Sequence, residues 1–274
     1  MASDADNQEA QRQYHRAREM VGRGRQAMAE GHRLLRQLSG RITHARTRGQ
    51  LNQQIWDCER LAGRRDRYYS QAGQDAFLDD RVFRGKRNGV FVEIGGYDGV
   101  TGSNCLYFEV MRGWTGLLLE PSPKFFADAS SFRRATCLQL AIADKEGEAE
   151  FLEVQDGFSQ MSGLTETYDK GLREQVEQNP NHKGSLISVK TKTLAQVLDQ
   201  NFMTDIDYVS LDVEGGELAV LADFPFEKYR ITAWTIENNT AGTDVPALMR
   251  AKGYKRIEAL GVDDVYVIDG TPGT

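Results

Sequence analysis

Val90-Phe91-Val92-Glu93-Ile94-Gly95-Gly96-Tyr97-Asp98-Gly99 reads as a buried strand that ends in an acid and runs into a glycine-rich turn. A helix is expected to start near Ser103-Asn104. Glycines at such a turn let the backbone approach a bound ligand closely, and the N–H groups of the following helix face it. A glycine-rich turn alone is a weak signal, and two acids sharpen it. Glu93 lies inside the turn motif, where a carboxylate would repel a pyrophosphate but suits a cationic amino group. Glu120 ends the next strand, 21 residues after Gly99. An acid there can accept both ribose hydroxyls of an adenosyl ligand.

A third strand leads into Ala141-Ile142-Ala143-Asp144. This puts Asp144 within reach of an adenine amino group and Ala143 where a flat base lies close. A plain turn role for Asp144 is the alternative. An adenosyl ligand that carries an amino acid is S-adenosylmethionine (SAM). The Gly-x-Gly-x-x-Gly spacing of nicotinamide dehydrogenases is absent, which argues against that class.

Outward from this turn, short apolar runs alternate with helical stretches, the pattern of a mainly parallel sheet. Strands are expected at Val90–Ile94, Gly116–Glu120, Thr136–Ile142, Ile206–Asp212, Ile231–Glu237, Tyr254–Ala259 and Val265–Ile268. Helices are expected at Asn104–Met111, Pro123–Ala129, Leu194–Asn201, Gly216–Leu221 and Val245–Lys252. A hairpin near Ala149–Val154 and Leu186–Thr193 interrupts the alternation. The stretch Phe158–Lys183 carries no strong strand signal, includes a candidate helix at Thr167–Gln178, and is placed as an acceptor-site lid.

The segment Asp207-Tyr208-Val209-Ser210-Leu211-Asp212-Val213-Glu214-Gly215-Gly216-Glu217 delivers Asp212 to a strand end, outside which α/β sheets bind ligands. The next strand ends in Glu237-Asn238, so Asp212, Glu214 and Glu237 can converge. Asp212 or Glu214 is the candidate general base, with a neighbouring carboxylate raising its pKa. The same three acids are the candidate ligands of a Mg²⁺-like ion. For Glu217, favourable placement at a helix N-terminus is part of the reading.

These stretches, with Ser70-Gln71-Ala72-Gly73-Gln74-Asp75, Leu119-Glu120-Pro121 and Met161-Ser162-Gly163-Leu164, resemble the FkbM family of SAM-dependent methyltransferases over about Tyr69 to Val267. The resemblance implies a class I Rossmann-like fold, a seven-stranded, mainly parallel sheet with its last strand antiparallel. It also implies O-methylation of sugar, glycan or natural-product hydroxyls. Tyr97 stands where methyltransferases commonly have a middle Gly. On this reading Gln71, Gln74, Asp75, Glu93, Gly95, Gly96, Tyr97, Gly99, Asn104, Glu120, Pro121, Ala143, Asp144 and Asp212 bind the cofactor. Ser159, Gln160, Met161, Ser162, His182 and Asn238 are acceptor-side candidates, with an idle loop position the alternative for His182 and a helix start, capped by Ser70, the alternative for Gln71, Gln74 and Asp75.

Residues 1–67 lie outside the resemblance and divide the chain into a helical extension, 1–67, and a methyltransferase domain, 68–274. The extension holds 14 Arg, no Lys and 8 acids, a net charge of +6, against −12 for the remainder. Leu34, Leu38, Ile42, Leu51 and Ile55 recur at helical spacing, and Gly22, Gly24, Gly31, Gly40 and Gly49 interrupt it, so two or three helical pieces are expected. Interleaved acids and the lack of an aromatic platform favour a helix that packs on the main domain or on a second copy. Docking of a partner enzyme is the other use. The acidic domain opposes a nucleic-acid substrate, and a nucleic-acid methyltransferase that uses the basic arm is an alternative. Neither the Asp/Asn-Pro-Pro-aromatic turn of base amino-methylation nor a Pro-Cys nucleophile occurs. A non-catalytic binding module that kept the fold is a further alternative. Three cysteines without metal spacing and the lack of a long apolar run lead to the expectation of a cytoplasmic protein with no transmembrane segment.

Overall fold

The computed structural model describes residues 4–156, 160–168, 170–239 and 242–271. Two helices come first, α1 (Asp4–Ser39) and α2 (Ala45–Leu61), then the short α3 (Gln74–Phe77), which continues into a π turn at Leu78–Phe83. The alternating part follows as β1 (Val90–Ile94), α4 (Leu106–Arg112), β2 (Thr115–Leu119), α5 (Pro123–Phe132) and β3 (Thr136–Leu138). Next come β4 (Ala141–Ile142), β5 (Gly147–Asp156), β6 (Gly163–Leu164), α6 (Lys170–Glu177) and β7 (Lys183–Lys192). The chain ends with α7 (Leu194–Gln200), β8 (Asp205–Leu211), α8 (Glu217–Ala222), β9 (Arg230–Glu237), α9 (Asp244–Ala251), β10 (Tyr254–Leu260) and β11 (Asp263–Ile268).

Seven strands form one sheet in the order β10-β11-β9-β8-β1-β2-β3. β1 pairs in parallel with β2 on one side and β8 on the other, so the strand order reverses beside β1. The final strand β11 runs antiparallel to both its neighbours, β9 and β10. This is the class I methyltransferase topology, and its crevice lies outside the C-terminal ends of β1 and β8. One face of the sheet buries Val92, Ile94, Val209 and Leu211 against Val197 and Leu198 of α7, Leu221 of α8 and Met249 of α9. The other buries Phe91, Tyr208 and Val265 against Trp56 of α2, Leu78 and Phe108.

Local chemistry starts the covering helices. Ser122 caps α5, its hydroxyl accepting from Phe125 N, and Pro123 occupies the first turn, where no N–H is needed. Thr193 and Gln196 close a reciprocal capping box on α7.

Two expectations are corrected. The stretch 136–142 is two strands in different sheets, because the chain turns at Leu140, whose N–H donates to Leu138 O at 3.1 Å. Ala141–Ile142 then pairs with β7 in a second sheet, β4-β7-β5-β6, built on the expected hairpin. Within the candidate lid, Gly163–Leu164 does form a strand, pairing with Phe151 and Leu152. The extension forms two helical pieces, within the expected number: α1 runs unbroken through Gly22, Gly24 and Gly31, each with open space around it, and the break falls after Ser39, at Gly40. A glycine costs a helix only ~1 kcal/mol, and no packing demand opposes continuation there.

α2 is seated on the far edge of the sheet. Arg48 forks onto Glu258 at 2.7 and 2.6 Å, and Asn52 Nδ2 donates to Ala259 O at 2.7 Å. Gly49 touches the β10–β11 turn backbone to backbone. Gly261 N donates to its carbonyl at 3.1 Å, and a Cβ on Gly49 would lie 2.1 Å from Gly261 O. Among the described residues no helix is long and apolar enough to cross a membrane.

Candidate active site

The turn after β1 is held against both neighbouring strand ends. Gly95 N and Gly96 N each donate to Leu119 O at 3.0 Å, and Asp212 N donates to Ile94 O at 3.2 Å. A Cβ on Gly95 would sit 2.1 Å from Asp212 O, and one on Gly96 would strike Leu118 at 2.4 Å. Tyr97, where a Gly is common, adopts the left-handed conformation itself, at φ 46°. Two contacts hold it there. Its N–H donates to Glu120 Oε2 at 2.8 Å, and its ring packs on Phe125 with centroids 4.2 Å apart. Gly99, at φ 81°, backs the turn against Ala129 and Arg133.

Glu93 lines the cleft, and both of its oxygens are engaged by the scaffold. Oε1 accepts from Ser103 Oγ at 2.7 Å, Asn104 N at 2.9 Å and Cys105 N at 3.2 Å. Oε2 accepts from Arg133 at 2.7 Å. Glu93 thus already has an internal cation as partner, while still lining the larger cavity. Arg133 is fully enclosed, also reaches Glu109 at 2.8 Å and Gly99 O at 3.0 Å, and ties the β1 turn to α4. Mutual charge pairing with Glu93 and Glu109 outweighs burial and raises its already high pKa further. Nothing local in the sequence singled it out, since Arg133 and Glu93 are 40 positions apart.

Two cavities meet at Tyr97, Asp212 and Glu214. The larger, about 730 Å³, reaches from Gly95 and Asn104 across to Glu237 and Asp263, and is lined also by Gln71, Gln74 and Met161. The narrow one, about 50 Å³, is a slot between Phe125, Leu140, Ala141 and Ile142, lined also by Glu120, Pro121 and Ser162. Glu120 accepts from Tyr97 N and from Ser122 N, each at 2.8 Å. Burial pushes its carboxyl up to about 8, with the charge of Glu153 adding to the shift. Asn104 donates to Ser210 Oγ at 3.0 Å, while its Oδ1 is buried on the cavity wall without a partner.

Asp212, Glu214 and Glu237 offer oxygens that all lie within 4.8 Å of one another. Glu214 and Glu237 are buried, Asp212 partly so. Burial raises the pKa of Asp212, and the charges of Asp263 and Glu217 add to it. Glu237 is raised by burial and then by repulsion from Asp212 and Glu214. Glu214 holds its place from a left-handed backbone, φ 58°, a strained conformation of the kind found at ligand sites. Glu217 is engaged locally, accepting from Val213 N at 3.1 Å and Gly215 N at 3.2 Å.

Several sequence candidates stand elsewhere. Asp75 is sealed from both cavities, accepting from Ser70 Oγ and from the N–H groups of Tyr69 and Ala76 at 2.7 and 2.8 Å, which turns the chain into α3. Ala143 and Asp144 line neither cavity; the turn at Leu140 advances the register, so Leu140, Ala141 and Ile142 take that wall. Asn238 pins the following loop through Gly242 and Asp264, and its neighbour Asn239 lines the larger cavity. His182 packs against Gly184 in the turn before β7, away from both cavities. Ser159 lies outside the described residues; Gln160 lines both cavities. Gln50, Gln53 and Gln54 of α2 line the larger cavity as well, and no local pattern marked them.

Residues 93–256 match the methyltransferase FkbM domain. The chain belongs to this family. The match covers the two acid-bearing turns and all three clustered carboxylates, and excludes α1, α2 and α3. Among solved structures, the methyltransferase FkbM from Methylobacillus flagellatus KT is similar at 10% identity and a TM-score of 0.40, over 66% of this chain and 43% of that one. The chain thus spans less than half of that relative's length. A TehB-like SAM-dependent methyltransferase from Corynebacterium glutamicum is similar at 13% identity and a TM-score of 0.39, over 79% and 95% of the two chains. Among curated proteins none matches the chain.

Proposed function

We propose that this FkbM-family methyltransferase binds SAM and transfers its methyl group to a hydroxyl of a sugar, glycan or natural-product acceptor. The observation that carries the reading is the carboxylate group Asp212, Glu214 and Glu237 at the junction of a narrow apolar slot and a large polar cavity. The slot suits a flat base, and Glu120 beside it retains lone pairs for ribose hydroxyls. The buried, unpartnered Asn104 Oδ1 suits an ammonium donor, and Gly95 and Gly96 line the larger cavity, their missing Cβ atoms letting the turn close on Asp212 O and Leu118 behind it. The residues present therefore fit SAM. SAM, when bound, supplies an activated sulfonium methyl.

The protein's own work is to orient an acceptor hydroxyl in the large cavity and take its proton. Asp212 is the proton acceptor in this reading. A pKa lifted towards neutrality suits a general base better than an ordinary carboxylate does, and Glu237 shares the proton through their hydrogen bond. The same carboxylates are hard oxygen donors that fit Mg²⁺, which would polarise the acceptor hydroxyl. Turnover abolished by EDTA and restored by Mg²⁺ carries that second reading, and turnover indifferent to EDTA ends it.

Calorimetric titration tests the cofactor. Glu120→Ala should weaken SAM binding tenfold or more, a loss of ~1.4 kcal/mol. An unchanged affinity removes Glu120 as the ribose anchor, and no binding to the wild type removes SAM. The pH dependence has a definite sign. Ribose hydroxyls donate to the ionised carboxylate, so binding favours the charged form of a group that titrates near 8. The affinity ratio of wild type to Glu120→Gln should therefore grow roughly tenfold between pH 7 and pH 9. A flat ratio contradicts it.

A further inference from the structure

The larger cavity has a wall that the family match does not include. Gln50, Gln53 and Gln54 of α2 line it, facing Gln71 and Asn239. The matched domain starts at residue 93, so these amides reach the cleft from outside the matched segment. They are held in place by the seat of α2. Leu51, Ile55 and Trp56 are buried beneath the helix, and Gly49 meets Gly261 with no room for a side chain. Gln53 is committed, its Nε2 donating to Asp57 at 2.9 Å and to Gln71 O at 3.1 Å. Gln50 and Gln54 are exposed on the cavity rim, one helical turn apart, and their amides are free to bond a ligand.

Charge narrows what that ligand can be. Among the described residues lining this cavity there is no Lys, Arg or His, while Glu93, Asp212, Glu214, Glu237 and Asp263 are all acids. A phosphate or carboxylate in such a space meets repulsion and no cation. Tyr97 is the one aromatic residue of the lining, so a flat hydrophobic acceptor finds little to stack on. Each primary amide offers both a carbonyl acceptor and N–H donors, the combination that serves a hydroxyl, which is itself donor and acceptor.

We propose that Gln50 and Gln54 are specificity-determining residues that bind an uncharged polyhydroxylated acceptor by amide–hydroxyl hydrogen bonds, so that α2 completes the acceptor side of the cleft. This rests on the methyl-transfer reading of the site. The test uses the full chain saturated with S-adenosylhomocysteine and saturation-transfer NMR. The probes are the methyl glycosides of glucose, mannose and rhamnose, with glucose 6-phosphate as the charged counterpart. At least one neutral glycoside should receive saturation and the phosphate none. In the double variant Gln50→Ala, Gln54→Ala the signal should fall about fivefold or more, with S-adenosylhomocysteine affinity by calorimetry unchanged. Alanine is the better helix former, so the variant keeps α2. No glycoside signal in the wild type, an equal signal from the phosphate, or no loss in the variant overturns the proposal. If S-adenosylhomocysteine itself fails to bind, the methyl-transfer reading falls instead. The glycoside arm, run without it, then still decides the role of the glutamines.

Discussion

Asp212→Asn should lower turnover by about 10²- to 10⁴-fold, the range that general-base removal costs, while SAM affinity stays within about twofold. The amide keeps the shape of the side chain and its place between the two cavities, but cannot take a proton from the acceptor. The same substitution should stabilise the fold. Asp212 is partly buried among Glu237, Glu217 and Asp263 without a facing cation, and its pKa is raised. A carboxyl with a raised folded-state pKa is neutral when folded at a pH where the unfolded chain has already ionised it. Its contribution therefore turns unfavourable as pH rises from the ordinary carboxylate range, and the penalty is complete above the raised value. Asparagine carries no such penalty. Above neutral pH the variant should gain ~1 kcal/mol, or ~2–4 °C in Tm. A less active but more stable enzyme is the signature of a functional carboxylate held against its own electrostatics. Retained turnover, or a lower Tm at pH 8, would remove Asp212 from that role.

Arg133→Ala should cost ~3–5 kcal/mol in urea unfolding, because it strands buried charges rather than merely deleting a contact. Glu93 and Glu109 flank the guanidinium at 2.7 and 2.8 Å, and all three side chains are enclosed. Arg133→Lys should recover only part of the loss, since one ammonium cannot span two carboxylates as the planar fork does. The pairing is checked by the double variant Arg133→Ala, Glu109→Gln, which should be more stable than Arg133→Ala by at least ~1 kcal/mol. Equal stability of the two, or a loss below ~1 kcal/mol in the single variant, would sink the bridging role. SAM affinity should fall along with stability, because the Glu93 carboxylate accepts from the Asn104 and Cys105 N–H groups that shape the turn towards α4.

What the sequence disclosed follows the range of the interactions. The turn 93–99 and Glu120 form one βαβ unit, and Asp212 through Glu217 form one strand end, so their spacing is set by local geometry that a pattern can hold. Glu237 is reached by strand order alone. Arg133 carries no local mark, since its partners lie 40 and 24 positions away. Asp144 failed to reach the slot because a single turn at Leu140 moved the following residues into another sheet. Position 97 was legible only as an anomaly. The backbone demand was the one a glycine meets, and the bond to Glu120 with the Phe125 contact holds a tyrosine there instead.

The seat of α2 also bears on how the chain is made. Arg48 and Glu258 are 210 positions apart, so at a synthesis rate of ~5–20 residues per second α2 waits ~10–40 s for its partner strand. During that interval Leu51, Ile55 and Trp56 have no β10 or β11 to cover them. The helix leaves the ribosome well before the strands that seat it and can dock only once they have formed. Nascent chains halted before about residue 260 should therefore show the apolar face of α2 to chaperones, and the glutamine wall of the cleft is assembled only after β10 and β11 have emerged.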